Sequence, residues 1–433
     1  MTLDCSAVLD VGKTHVKLRV FDAAGRVIEH RDRPNCSVSG PQGYTALDTT
    51  GIEAWLWDSL ASLSHRARIG HLIVTTHGAA FAALNDDGLV LPMVDYEFDA
   101  YADQREAYAL AVGDLRETLS PHLPMGLNAA RPWYWQAREF PAAFSRAHTL
   151  LPYPQYWAWR LSGVAASEVS SLGCHTHLWS PQSSSWSQLV HREGWARRFA
   201  PIRSAWDVLG PLRPELAQRL GLSRDCMVHT GVHDSNACLA RYLRRWPAMT
   251  LVTSGTWTVV MACGGRTDAL DLSSDMLANV SVAQDAVPTA RFMGGRDHAA
   301  LCAGAHPDDA LASLVQVLND EGIRAMPTPD GPQVLHGDED ITNRLAAVMT
   351  AAERATLASL YCAQMTASRV QLLGAPSPLV VEGPLARNKV FVDCLSALLP
   401  DHDCRSPNDD VEGTARGAWL LMHWNDAEAR EPA

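Results

Sequence analysis

No stretch of the chain approaches the ~18 uninterrupted apolar residues that a membrane-spanning helix needs, so no such helix is expected. The opening Met1-Thr2-Leu3-Asp4-Cys5 has no basic segment leading into an apolar one, so no secretory signal is expected either. The ten cysteines are scattered, with no C-x-x-C pair and no Cys/His cluster at zinc spacing. Reduced thiols in a cytoplasmic protein are the simplest reading. Cationic residues are also in deficit: 36 Lys and Arg stand against 48 Asp and Glu, a net charge of −12. Nucleic-acid binding needs a basic footprint, which this chain lacks. A small anionic substrate stays open, because a few backbone amides and a Mg²⁺ ion can hold phosphate locally.

What is present is an ordinary globular balance. Of 433 residues, 47% are hydrophobic and 19% charged. At ~150 residues per domain, two or three domains are expected. The sequence opens with a meander. Ser6-Ala7-Val8-Leu9 reads as a buried strand; Val16, Leu18 and Val20 then alternate with Lys17 and Arg19, and Asp22-Ala23-Ala24-Gly25 turns the chain into a third strand at 26–29. An amphipathic helix follows over 51–63, then an apolar strand over 71–76, an α/β signal. A helix is expected over 98–112, a strand over 91–94, a polar loop over 180–187 and a helix over 235–242. Most of the fourteen tryptophans should be core. The stretch 303–345 has no clear pattern, and the polar tail 425–433 should fray.

The second half repeats the opening. Thr250 to Val260 is again strand, small-residue turn, strand, and Gly255 lies 243 residues after Gly12. Two domains of like construction are expected, 1–240 and 241–433, joined near 237–249.

Several motifs carry chemistry. Gly12-Lys13-Thr14 is not a Walker loop: the required earlier glycine would sit at Ala7, and a strand follows instead of a helix. It reads either as a plain β-turn or as a turn whose backbone amides approach a phosphate, with Asp10 able to hold a metal at the strand end. Ser254-Gly255-Thr256 offers the same two readings. Asp234 lies between a strand and a helix, where it either caps the helix or takes a proton from an attacking hydroxyl. Thr75-Thr76-His77-Gly78 ends an apolar strand, where open α/β sheets bind ligands. With Asp95, Tyr96 and Glu97 it is a candidate for sugar hydroxyls, while an interior, hydrogen-bonded role for His77 is equally open.

Taken in order, these motifs resemble the FGGY family of carbohydrate kinases, within the actin-like ATPase superfamily. The resemblance runs from Leu9-Asp10-Val11-Gly12-Lys13-Thr14 through Thr75-Thr76-His77-Gly78, Leu151-Pro152-Tyr153, Gly231-Val232-His233-Asp234-Ser235-Asn236 and Ser254-Gly255-Thr256-Trp257. It ends with Val381-Glu382-Gly383 and Glu412-Gly413-Thr414-Ala415-Arg416-Gly417-Ala418. It implies an α/β fold of two ribonuclease-H-like domains with sugar and ATP in a cleft between them. It implies Asp234 as catalytic base, Asp10 at Mg²⁺, Gly12, Lys13, Thr14, Ser254, Gly255 and Thr256 at phosphate, and Gly383 at adenosine. It puts His77, Gly78, Asp95, Tyr96, Glu97 and His233 at the sugar. Glu382-Gly383-Pro384 departs from the paired glycines usual at the adenosine turn, and the segment around Asp234 is most similar to the fuculose and rhamnulose kinase branches.

The expected activity is ATP-dependent phosphorylation of a ketose or deoxyketose such as L-fuculose, L-rhamnulose or xylulose, without nucleic-acid or membrane partners; a homodimer is left open. The rival is a sugar- or nucleotide-binding sensor on the same scaffold, and a third option is an actin-like or chaperone-like ATPase.

Overall fold

The computed structural model describes residues 4–268, 270–274, 276–407 and 412–425. Residues 426–433 of the expected frayed tail lie outside them. The chain divides into two compact units: Met1–Arg245, Leu277–Ala286 and Val411–Ala433 form one, Trp246–Met276 and Val287–Asp410 the other.

The first unit is built on a seven-stranded sheet. Its strands are β1 (Asp4–Val11), β2 (His15–Phe21), β3 (Val27–Pro34), β4 (Arg68–Thr76), β5 (Val208–Pro211), β6 (Met227–His229) and β7 (Val232–His233), in the order β5-β6-β4-β1-β2-β3 with β7 also beside β4. β1 and β2 pair antiparallel, as the alternation at 16–20 requires, and β4, β6 and β7 add parallel to it. Helix α1 (Thr49–Leu63) starts where the Asp48 carboxylate accepts from Gly51 N at 2.7 Å. It buries Ile52, Leu56, Leu60 and Leu63 against this sheet's apolar core, each contributing roughly 1.5–3 kcal/mol as an upper estimate.

Helix α2 (Asp234–Leu243) leaves β7 directly. Helix α5 (Gly413–Met422), far along the chain, belongs to the same unit. α2 and α5 touch backbone to backbone: a Cβ on Gly417 would lie 1.7 Å from Ala237 O, so only glycine fits there.

The second unit repeats the opening. β8 (Met249–Ser254) and β9 (Thr258–Cys263) pair antiparallel around the turn at 255–257. With β11 (Ala286–Phe292), β12 (Leu379–Glu382) and β13 (Cys404–Arg405) they follow the order β11-β9-β8-β12-β13; β10 (Met276–Val280) lies almost wholly in the first unit's segment Leu277–Ala286. Helix α3 (Gly294–Cys302) follows β11, and the long α4 (Ala351–Leu372) carries a capping box of Thr350 and Glu353.

Some expectations fail for physical reasons. The helix expected over 98–112 begins only at Arg105, after a short turn at Ala102–Gln104. Phe98 and Tyr101 are drawn instead into an aromatic cluster with Tyr44 and Trp135. The strand expected at 91–94 reduces to one bridge between Val94 and Ala46, since Pro92 has no N–H to give a ladder. The loop at 180–187 contains a two-residue-deep hairpin, Trp179–Ser180 against Ser185–Trp186. The stretch 303–345 contains the helix Ala312–Asp320 and a three-stranded sheet. Its central hairpin turns at Pro329-Asp330-Gly331, a turn signal present in the sequence, with Gly331 at φ +123°.

Candidate active site: two turns and a row of strand ends

In the first unit the functional candidates gather at the carboxyl ends of parallel strands, where α/β sheets bind ligands. Asp10 of β1 stands level with Thr75 of β4, and Val232 of β7 stands level with that same Thr75 from the other side. Asp10, near the end of β1, and Asp234, directly after β7, therefore lie on strands that flank β4. Asp10 is buried, and this burial, with the Asp234 charge as the next contribution, pushes its carboxyl up to about 7. Lys17, its cross-strand partner on β2, pulls the other way. The Lys17 ammonium also donates to both Glu412 oxygens, at 2.9 and 2.8 Å. The sequence reading gives neither Lys17 nor Glu412 a role in the site, although the alternation places Lys17 beside Asp10 once β1 and β2 are paired.

Asp234 is not the helix cap. His233 holds the cap position with extended backbone and no side-chain capping bond, and Asp234 is the first helical residue. Its Oδ1 accepts from Ser235 N at 2.5 Å and lies 3.2 Å from His233 Nε2. Burial lowers the His233 pKa, so its ring is neutral. Asn236 Nδ2 faces His233 Nδ1 at 3.1 Å; the neutral ring that satisfies both contacts carries its proton on Nε2, donating to Asp234. The same Nε2 lies 3.3 Å from Cys174 Sγ. Behind it, Ser170 Oγ accepts from His233 N at 3.3 Å and donates to the fully buried Glu168 at 2.5 Å. Burial raises Glu168 to about 7. Cys174, Ser170 and Glu168, which support the strand end before Asp234, carry no local signal of that role.

His77 ends β4 and is buried, which lowers its pKa. Its Nδ1 lies 2.7 Å from Gly78 O, so the neutral ring donates there and leaves Nε2 as an acceptor, with no hydrogen-bond partner among the described residues. Tyr96 meets the His77 ring edge-on at 5.5 Å. Gly78 has no room for a side chain: a Cβ would lie 3.0 Å from both Cys174 Sγ and His233 Nε2.

The first turn is held from several sides. Gly12 N donates to His15 O at 3.0 Å, and Asn35 Nδ2 donates to Gly12 O at 2.7 Å. Thr14 is exposed at the tip. The Lys13 side chain turns to the acceptor candidates. It forms a short ion pair with Asp95 and another with Glu97 at 3.1 Å, and it lies 5.2 Å from the centre of the Tyr96 ring. Burial alone would raise Asp95. The bonds from Lys13, Ser37 and Glu97 N and the Lys13 charge outweigh it and hold Asp95 below its ordinary value.

The second unit brings Ser254 and Gly383 together. β8 and β12 run parallel with Thr253 opposite Glu382, so both turns leave the carboxyl ends of adjacent strands. Ser254 Oγ donates to Glu382 O at 2.7 Å and accepts from Leu385 N at 3.0 Å. Gly383 adopts φ +85°, and a Cβ there would lie 2.0 Å from Ser254 O. Gly255 N donates to Trp257 O at 2.9 Å, and Gly255 and Thr256 are exposed. A Cβ on Gly295, at the start of α3, would lie 2.1 Å from Gly255 O.

Asp10 and Asp234 are hard oxygen donors, and a carboxyl pushed up by burial and a neighbouring negative charge is one that a divalent cation would relieve. Among the described residues no group of three or more His, Cys, Asp or Glu is arranged to hold a metal. Such a donor set fits Mg²⁺, which keeps waters and is bound by one or two carboxylates plus substrate phosphates.

The family model for the carbohydrate kinase FGGY C-terminal domain matches residues 247–431. Among solved structures, a carbohydrate kinase from Novosphingobium aromaticivorans is 33% identical with a TM-score of 0.87, over 98% of this chain and 92% of that one. The chain belongs to the FGGY family of carbohydrate kinases, which are phosphotransferases with the two-domain actin-like ATPase fold. A xylulose kinase from Lactobacillus acidophilus shares the fold at a TM-score of 0.77 and 13% identity, over 97% of this chain and 89% of that one. An L-fuculokinase from Salmonella typhi is 25% identical over 289 residues, which is 63% of this chain and 59% of that enzyme, less than two thirds of its length. No helix among the described residues is long and apolar enough to cross a membrane.

Proposed function

We propose that this chain is an ATP-dependent kinase that phosphorylates a hydroxyl of a small ketose or deoxyketose, with Asp234 as general base. The observation that carries the reading is the setting of Asp234. One of its oxygens is held by Ser235 N and the neutral His233 ring, and its side chain keeps 30% exposure while the neighbouring Asp10 is enclosed. A carboxylate fixed through one oxygen presents the other to an incoming hydroxyl and can take its proton as the phosphoryl group transfers. His77 Nε2 supplies a second acceptor for a sugar hydroxyl. Asp10, with Asp234 beside it, would hold Mg²⁺, which when bound supplies charge stabilisation to the transferring phosphoryl group. The exposed hydroxyl residues Thr14 and Thr256 suit phosphate oxygens, and the Gly383 turn suits the adenosine end. L-fuculose and xylulose are the first acceptors to try, given the L-fuculokinase and xylulose kinase this chain is similar to, and L-rhamnulose follows from the likeness of the segment around Asp234.

The test is ADP release from Mg·ATP against a panel of ketoses, deoxyketoses, aldoses and polyols. Sugar-dependent release is expected, and Asp234→Asn should lower it about 10²–10⁴-fold while ATP binding persists. Equal turnover in the variant would overturn the assignment of the base. Binding of sugar or nucleotide without turnover by the wild type would favour the sensor, a reading that the single glycine of Glu382-Gly383-Pro384 motivates.

A further inference from the structure

Lys13 sits in the turn that the kinase reading gives to phosphate, and in a first turn of this kind a lysine is naturally taken for a phosphate ligand. Its surroundings argue otherwise. An ammonium has three N–H donors and no more. One goes to Asp95 Oδ2, one to Glu97 Oε2 at 3.1 Å, and the third faces Ser37 Oγ at 3.5 Å. Asp95 is completely enclosed, and both its oxygens are committed: Oδ1 to Glu97 N at 2.9 Å, Oδ2 to Lys13 and to the Ser37 hydroxyl. Lys13 therefore ties three segments into one block: the turn after β1, the stretch at Ser37 and the loop Asp95–Glu97. Its aliphatic stem and head run beside Tyr96, which itself abuts His77.

A phosphate drawing Lys13 away would leave a buried carboxylate without its cation, the costliest way to break an ion pair. It would also have to settle beside Glu97, whose charge repels it. The block of one ammonium and two carboxylates keeps a net negative charge, and Glu97 is the member with open surface. That is a setting for the hydroxyls of a neutral sugar and a poor one for a sugar acid.

We infer that Lys13 is a positioning residue of the acceptor side, anchored on the enclosed Asp95 and holding Glu97 for the hydroxyls of a neutral sugar, and is not a nucleotide-phosphate ligand. This rests on the kinase reading for its acceptor, but its nucleotide half can be tested without turnover.

The experiment compares wild type, Lys13→Met and Lys13→Arg. Mg·ADP affinity is measured by calorimetry, and KM for ATP and for the acceptor by ADP release. Lys13→Met is expected to raise the acceptor KM at least tenfold and to change ADP affinity and ATP KM less than twofold. Lys13→Arg, which keeps the cation for both carboxylates, should recover most of the acceptor KM. Neutral sugars should be preferred over the corresponding aldonates by the wild type. A tenfold loss of ADP affinity or a tenfold rise in ATP KM in Lys13→Met would overturn the inference, as would an unchanged acceptor KM. If Lys13→Met does not fold, Ser37→Ala provides the same readout: a raised acceptor KM with unchanged ADP affinity supports the inference, and the reverse overturns it. Wild type without turnover on any sugar would refute the kinase reading, and calorimetry of the same variants with Mg·ADP and with a non-hydrolysable Mg·ATP analogue would still decide whether Lys13 holds phosphate.

Discussion

The turn at Gly12–Thr14 and the turn at Ser254–Thr256 occupy the same place in their units, the bend between the first two antiparallel strands, yet they are secured by opposite means. The first is tied by charge. Its lysine reaches sideways to two carboxylates, and the neighbouring Asp10 is pushed toward neutrality by burial and by Asp234. The second is tied by neutral groups. Its serine hydroxyl bridges Glu382 O and Leu385 N, and Gly383 packs against its carbonyl with no space for a methyl group. In both turns the side chain that looks most suited to phosphate is occupied by its own neighbours. The threonine of each turn is exposed. A motif read as a binding element is thus partly a joint, and the residues that make it a joint lie far away in sequence.

If charge secures one turn and neutral packing the other, pH should separate them. Asp10 has a folded-state value of about 7 against an ordinary 3.8, so the folded state holds its proton more tightly. The stability this gives is fully present below about pH 4 and is lost as pH rises through 7. In the absence of Mg²⁺, Asp10→Asn should raise the melting temperature at pH 8, removing a cost on the order of 4 kcal/mol, and should leave it nearly unchanged at pH 4. Thermal melts at the two pH values check this; a pH-independent effect would break the comparison. Next in size, Gly383→Ala forces a side chain into a left-handed position against Ser254 O and should cost about 3 kcal/mol and weaken nucleotide binding. Gly12→Ala, whose Cβ would meet only His15 O at 3.0 Å without positive φ, should cost about 1 kcal/mol or less. Equal losses would show that the two turns are equally tight. Smallest is the hydroxyl strut. Ser254→Ala removes a donor and an acceptor and should cost about 1–2 kcal/mol at every pH, while Thr14→Ala at the exposed tip should stay within about 0.5 kcal/mol. Urea denaturation of the two variants gives the contrast.

The parts of this arrangement that were legible in the sequence are those written locally. The alternation of Val16, Leu18 and Val20, its echo at 250–260, and a polar cluster at the end of an apolar strand all sit within a dozen residues. They are enough to predict both turns and the strand end at His77. Asp234 was legible as a carboxylate at a strand–helix junction, though the expected cap position belongs to His233. What was not legible depends on long-range closure. Lys13 and Asp95 were each singled out, for nucleotide and for sugar, but nothing local says that they bond to each other across 82 residues. Glu168 and Cys174 reach His233 only after the chain has folded back. The late start of the helix at Arg105 has the same origin, since Phe98 and Tyr101 gain more from Tyr44 and Trp135 than from another helical turn. The hairpin at Pro329-Asp330-Gly331 is different: its signal is local, a Pro-Asp-Gly turn written in three consecutive residues.

The contact of Gly417 with Ala237 bears on the timing of synthesis. The helix that begins with Asp234 rests, backbone on backbone, against a helix that leaves the ribosome some 180 residues later. Everything from Trp246 to Met276 and from Val287 to Asp410 is translated in between. Until residues 413–422 are made, the helix that starts at Asp234 lacks the glycine backbone against which Ala237 packs. The first unit is therefore closed by the last helix of the chain to be synthesised.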